Sequence, residues 1–146
     1  MYKLLKQLFA SNKKTVLKMH HEQLGSLTYS PDFKQWETAD ETIFHSMPGD
    51  ETGPNKSSVK FLVNKVKNKD LLFNQCAPEL LSICHEWKSI DKQLSAKDLF
   101  KLSAISVNSE DNDEWEVCFE TKPEFKWIYI GLHFKGEEIV ANDIST

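Results

Sequence analysis

The chain has no arginine: all 18 of its basic residues are lysine. Arginine supplies the planar bidentate clamp for carboxylate and phosphate and the usual cationic finger of phosphoryl transfer. Its absence argues against an enzyme of that class, although an A/T-rich coding sequence accounts equally well for the lysine bias. Cysteine is sparse. Cys76, Cys84 and Cys118 are odd in number and lack C-x-x-C spacing, which argues against a disulfide framework or a structural zinc centre. Long apolar runs are missing too. Lys6 and Gln7 interrupt the N-terminal apolar cluster, so neither a signal peptide nor a membrane-spanning segment is expected. These absences together lead to the expectation of a cytoplasmic protein with no stable membrane insertion.

No nucleotide loop is expected either. Gly49-Asp-Glu-Thr-Gly53-Pro-Asn-Lys56-Ser57 has glycines and a lysine, but Lys56 does not follow the second glycine, and Asp50 and Glu51 would repel a phosphate.

What the chain does have is enough apolar material for one core: 146 residues, 40% hydrophobic, with nine Phe and four Trp. Its net charge of -4 is unevenly spread. Residues 1–21 carry +5 and no acid, and the remainder carries -9, so the body should repel nucleic acid. Residues 2–19 follow a broken helical stripe through Leu4, Leu5, Leu8, Phe9, Val16, Leu17 and Met19. The expected organisation is a basic amphipathic helical segment over 1–21 and a single α+β domain over 22–146.

Within that domain, Leu24–Tyr29 and Phe33–Glu37 alternate as strands around a Ser30-Pro31-Asp32 turn, and Glu41–His45 forms or continues a third. Ser46–Lys56 is expected to be a loop. Ser58–Val63 fits a helix or a strand. Asp70 is placed to cap a helix holding Leu71–Phe73, and Pro78 to begin the next, with Leu80, Leu81, Ile83, Cys84, Trp87 and Ile90 as its apolar stripe. Ser95 and Asp98 form a variant capping box before a short helix containing Leu99, Phe100 and Leu102. A β-meander follows from Ala104 through Val140. The order of elements points to an α+β fold: an antiparallel sheet, built from an N-terminal hairpin and a C-terminal meander, packed on one face by helices.

The hairpin over residues 114–134 is the most informative stretch. Its turn lies at Lys122–Phe125. Trp115, Val117 and Phe119, with Ile128, Ile130, Leu132 and Phe134, share the core face. The other face carries Glu114, Glu116, Cys118 and Glu120 beside Trp127, Tyr129, Gly131 and His133. That face is too aromatic for a solvated surface and too acidic for a core. Three catalytic patterns are set aside, the first on frequency and the other two on geometry. Glu116 and Glu120 can be written as a glycosidase pair, but a row of glutamates on a solvent face is far commoner. Aligning Val117 with Ile130 sets Cys118 opposite Tyr129 and leaves His133 near Glu114, out of reach as a base. Cys84 and His85 are adjacent on a helix and face apart. His20-His21-Glu22 offers metal-ligand types without a third partner, and is expected to be a solvated hinge.

No catalytic residue, metal ligand or cofactor is therefore expected. The expected partner-binding residues are Trp127 and Tyr129 as aromatic anchors, with Glu116, Glu120, Asp111, Asp113, Glu114 and His133 around them.

One resemblance bears on this. Leu24-Gly25-x-Leu27-x-Tyr29, Trp36-Glu37, Glu86-Trp87, Lys97-Asp-Leu-Phe100, Leu102-x-Ala-Ile105-x-Val107, Trp115-x-Val-x-Phe119 and Phe125-x-Trp127 together resemble small bacterial domains that recur as immunity partners of secreted toxins. The resemblance spans about residues 24–141. The chain departs from it at Trp127-Ile-Tyr129, where a Trp-Gly-His is expected. It implies a non-catalytic immunity protein; with the acidic body and the missing signal peptide, the expectation is that it blocks a cognate toxin, a nuclease or other cytoplasm-acting effector, by occluding its active site. The alternatives are an acidic nucleic-acid mimic that inhibits a defence protein, a small hydrolase using Glu116, Glu120 or Cys118, and a peripheral membrane adaptor using residues 2–19.

Overall fold

Period-two patterning makes strand the commonest regular structure among the described residues. The computed structural model describes residues 16–38, 42–87 and 90–146, so most of the helix expected over residues 2–19 lies outside the described residues. Five strands come first: β1 (Lys18–His21), β2 (Gly25–Ser30), β3 (Gln35–Thr38), β4 (Phe44–Asp50) and the two-residue β5 (Gly53–Pro54). Helices α1 (Lys56–Lys67), α2 (Lys69–Cys84) and α3 (Ala96–Leu99) follow. The chain ends in β6 (Phe100–Val107), β7 (Glu114–Thr121), β8 (Tyr129–Lys135) and β9 (Glu138–Ser145).

The fold is α+β, and its sheet is mixed. The strand order is β1-β2-β3-β4-β6-β7-β8-β9, with β5 beside β4. Every pairing is antiparallel except β4 with β6, where Phe44 lies opposite Ala104 and Ser46 opposite Ser106. This corrects the expectation of a purely antiparallel sheet. The two meanders are separated in sequence by the helices, and a crossover of that length is what a parallel pairing requires.

Several local expectations are also corrected. Residues 18–21 form an edge strand, not the end of a helix. Met19 lies opposite Leu27. His21 Nδ1 accepts the amides of Gln23 and Leu24 at 3.1 and 3.2 Å, and Gly25 turns the chain with a φ of 86°. That turn folds Lys18–His21 back onto β2 and employs His21 as a turn acceptor. Much of the expected loop at Ser46–Lys56 is β4 and β5. Pro48 lacks an N–H, but its carbonyl accepts Asn55 N–H at 2.8 Å, Gly49 N–H donates to the Lys34 carbonyl at 3.1 Å, and the Trp36 indole donates to the Asp50 carbonyl at 2.8 Å. Those bonds keep the strand extended through two residues that ordinarily break one.

Residues 58–63 are helical, because Asn55 Oδ1 caps α1 by accepting Ser57 N–H at 3.0 Å. Pro78 sits inside α2, and Asp70 lies in its first turn behind Asn68 at the cap. The missing proline bond costs roughly 3 kcal/mol, against burial of Leu72, Phe73, Cys76, Leu80, Ile83 and Cys84 along that one helix. The Ser95–Asp98 capping box is formed, but α3 stops at Leu99, and Phe100 and Leu102 belong to β6.

The core is aromatic and centres on β7. Trp115 stacks on Phe134 at 4.1 Å between ring centres and meets the edge of Phe61 from α1 at 5.2 Å. Its indole N–H is satisfied by the Gly136 carbonyl at 2.8 Å. Phe119 takes Phe73 of α2 edge-on at 5.1 Å.

Candidate functional site

Because Trp115, Val117 and Phe119 turn toward the helices, alternation sends Glu114, Glu116, Cys118 and Glu120 to the opposite side of β7. The partners they meet there differ from those expected. Val117 lies opposite Leu132, not Ile130, so Glu116 pairs with His133, Cys118 with Gly131 and Glu120 with Tyr129. The reason is Thr121. Its N–H donates to the Ile128 carbonyl at 3.0 Å, and its hydroxyl accepts Ile128 N–H at 3.0 Å while donating to the Lys126 carbonyl at 2.9 Å. Those bonds close a longer loop than a tight turn at Lys122–Phe125. The register moves by two residues, which keeps every side chain on its face but changes every cross-strand partner.

The shift brings His133 into a hydrogen-bonded chain. His133 Nδ1 is 3.0 Å from Glu116 Oε2, and Nε2 is 2.5 Å from Asp143 Oδ2 on β9. Cys118 Sγ is 2.9 Å from Glu116 Oε1. His133 donates to both carboxylates at once only as the imidazolium.

Asp143 was not among the expected site residues. The final strand was read only through Val140, whereas β9 continues to Ser145 and pairs Asp143 with Gly131. Alternation alone would put Asp143 on the core face with Ile139; the bulge opposite His133 and Phe134 turns it to the outer face.

This arrangement is poor for nucleophilic chemistry. Cys118 is only 2% exposed. Burial, and next the hydrogen bond to Glu116, push its thiol up to about 12, so it is not a thiolate at neutral pH. Burial also pushes the Tyr129 phenol up. Glu116, His133 and Asp143 present donor atoms within 4.8 Å of one another. However, each imidazole nitrogen faces a different carboxylate, so the donors surround the ring and do not converge on one point.

The expected binding residues fall into three groups. Trp127, 52% exposed, stacks on Tyr129 at 6.5 Å between ring centres. Glu120 lies opposite Tyr129 and makes an ion pair of 3.5 Å with Lys101. Glu116 and His133 form the middle group. The acidic turn lies at the far end of β7, about 20 Å from Glu120 at the rise of an antiparallel strand. There Asp111 is spent on local structure. Its Oδ1 accepts the Ser109 hydroxyl at 2.6 Å and Asp113 N–H at 3.0 Å, and the first of these holds its carboxyl below the usual range. Asn112, at a φ of 61°, accepts the Ser58 hydroxyl at 2.7 Å and fixes the turn to α1. Asp111, Asp113 and Glu114 therefore do not surround Trp127.

Comparison with protein-family models, with curated proteins and with solved structures finds no match.

Proposed function

We propose that the chain is a non-catalytic binding protein that docks a basic protein partner on the β7–β8–β9 face. In its most specific form it is an immunity protein that neutralises a cognate bacterial toxin by occluding its active site. The observation that carries this reading is Trp127: a half-exposed indole, stacked on Tyr129, with Glu120, Glu116 and Asp143 on the same face. An exposed stacked aromatic pair is a ready anchor, and carboxylates around it steer a cationic surface at long range.

In this reading the helices take one face of the sheet and the partner takes the other. The raised Cys118 thiol and the engaged Glu116 oxygens support a binding role over the hydrolase alternative. The charge of -9 over residues 22–146 favours a basic protein over nucleic acid as the partner. A toxin acting in the cytoplasm, such as a nuclease, fits that charge, and the immunity protein would meet it there. The resemblance to immunity-type domains points the same way.

The test is co-purification with the product of the adjacent gene, followed by Trp127→Ala with Tyr129→Ala. Loss of about 100-fold in affinity with an unchanged melting curve supports the reading. Full binding by the double variant, or no partner for the wild type, overturns it.

A further inference from the structure

A second feature, which borders the aromatic face at Glu120, has the opposite charge character. β4 and β6 run parallel but start out of step. Their pairing begins at Phe44 opposite Ala104, so Phe100, Lys101, Leu102 and Ser103 of β6 have no β4 partner. The gap is a groove of about 530 Å³, the size of a small-molecule site. Its apolar lining includes Phe44, 39% exposed, with Phe73, Phe100 and Leu102. Four of its charged side chains are lysines, Lys69, Lys97, Lys101 and Lys122, against Asp70 and Glu120.

Lys97 and Lys101 pair with those two acids at 3.5 Å each. Lys69 and Lys122 have no ion-pair partner among the described residues. Among the described residues, the groove's lining therefore carries an excess of positive charge in a protein that is negative overall. It also holds an orphan donor. Ser103 sits where the register slips between Leu102 and Ala104, and its hydroxyl is buried without a hydrogen-bond partner among the described residues. Buried hydroxyls are ordinarily satisfied, and a ligand in the groove would supply the missing acceptor.

We propose that this groove binds a small amphiphilic anion: an apolar body lying against Phe44 and Leu102, with a carboxylate or phosphate head held by Lys69 and Lys122. Apolar contact alone would accept a neutral molecule of the same shape equally well. The two unpaired lysines predict discrimination by charge.

The test is calorimetric titration of the full chain with decanoate, decyl phosphate, decanol and inorganic phosphate, each kept below any micelle concentration. Saturable one-site binding of decanoate or decyl phosphate, about tenfold tighter than decanol, is expected; which of the two binds identifies the head group. Lys69→Gln with Lys122→Gln should abolish that preference. Phe44→Ser should weaken decanoate and decanol alike. These side chains lie outside the buried core, so unchanged melting curves are expected for the variants. Decanol binding as tightly as the anions, inorganic phosphate binding as tightly as decyl phosphate, no saturable binding, or variants that bind as the wild type does would each overturn the proposal. None of these outcomes depends on the protein partner or on Trp127.

Discussion

Glu116 and His133 face each other across β7 and β8, with Oε2 3.0 Å from Nδ1, and the far side of the same ring meets Asp143. The imidazole thus stands between two carboxylates that would otherwise repel each other. Replacing it with leucine removes both contacts and leaves the acids facing an apolar group. His133→Leu should lower stability by about 1 kcal/mol, read as a smaller urea midpoint with an unchanged slope. Asp143→Asn should cost less, because the Asp143 side chain is 72% exposed and solvent screens it. A larger loss in Asp143→Asn than in His133→Leu would show that the bridge is not centred on the ring.

Cys118 gives a prediction at alkaline pH. Burial raises its thiol from 9.0 to about 12, and burial does the same to Cys76. A group whose folded value is raised stabilises fully below its unfolded value, and that stability is lost as pH rises toward the folded value. The urea midpoint should therefore be flat up to about pH 9 and fall above it. Cys118→Ala should make the fall shallower while Cys76 still contributes. In the native state, thiol labelling at pH 8 should be slow at both positions and become fast on unfolding.

The faces of β7 and β8 were legible in the sequence because alternation depends only on the strand itself. Trp115, Val117 and Phe119 had to share one side, and Glu116, Cys118 and Glu120 the other. The register was not legible. It is set by three hydrogen bonds between Thr121 and the 126–128 segment, and nothing in the local pattern separates that loop from a tight turn two residues out of step. The same limit explains why His133 was placed near Glu114 and why Asp143 was missed: both positions depend on pairing between strands. The parallel join of β4 to β6 is a long-range choice made through the helices, and it created the lysine-rich groove. β1 was hidden for another reason. Val16, Leu17 and Met19 suit either period, and the turn at His21–Gly25 decides between them.

His45 is buried on β4, opposite Ile105 in β6, with both ring nitrogens unpartnered among the described residues. Burial lowers its pKa from 6.5, so the folded protein holds the neutral ring while the unfolded chain takes up a proton more readily. The stability this gives is present above about pH 6.5 and is lost as pH falls below it toward the folded value. His45→Leu should flatten the acid limb of a stability profile. Because it also removes two unsatisfied polar atoms, it should raise stability at neutral pH by about 1 kcal/mol. A steeper acid limb in that variant would show that the ring is not the group responsible.

Gly49 lies where β4 passes under Trp36. A β-carbon there would sit 2.6 Å from Trp36 Cδ1, 2.6 Å from the Gly53 carbonyl oxygen and 2.7 Å from Pro54 Cα. Two of those neighbours are backbone in β5, so no rotamer change relieves the contact. Trp36 is itself pinned, its indole N–H donating to the Asp50 carbonyl at 2.8 Å, and it packs on Tyr29 at 5.3 Å between ring centres. Gly49→Ala must therefore push β5 away or tilt Trp36 out of its bond, and either costs about 2 kcal/mol. The displacement should reach α1, because Asn55, which caps that helix, is held by the Pro48 carbonyl next to Gly49. Amide exchange should accelerate at Asn55 and Ser57 while β7 and β8 stay protected. Equal protection throughout, with no drop in the urea midpoint, would mean that the strand accommodates the methyl group and that the glycine is not sterically required.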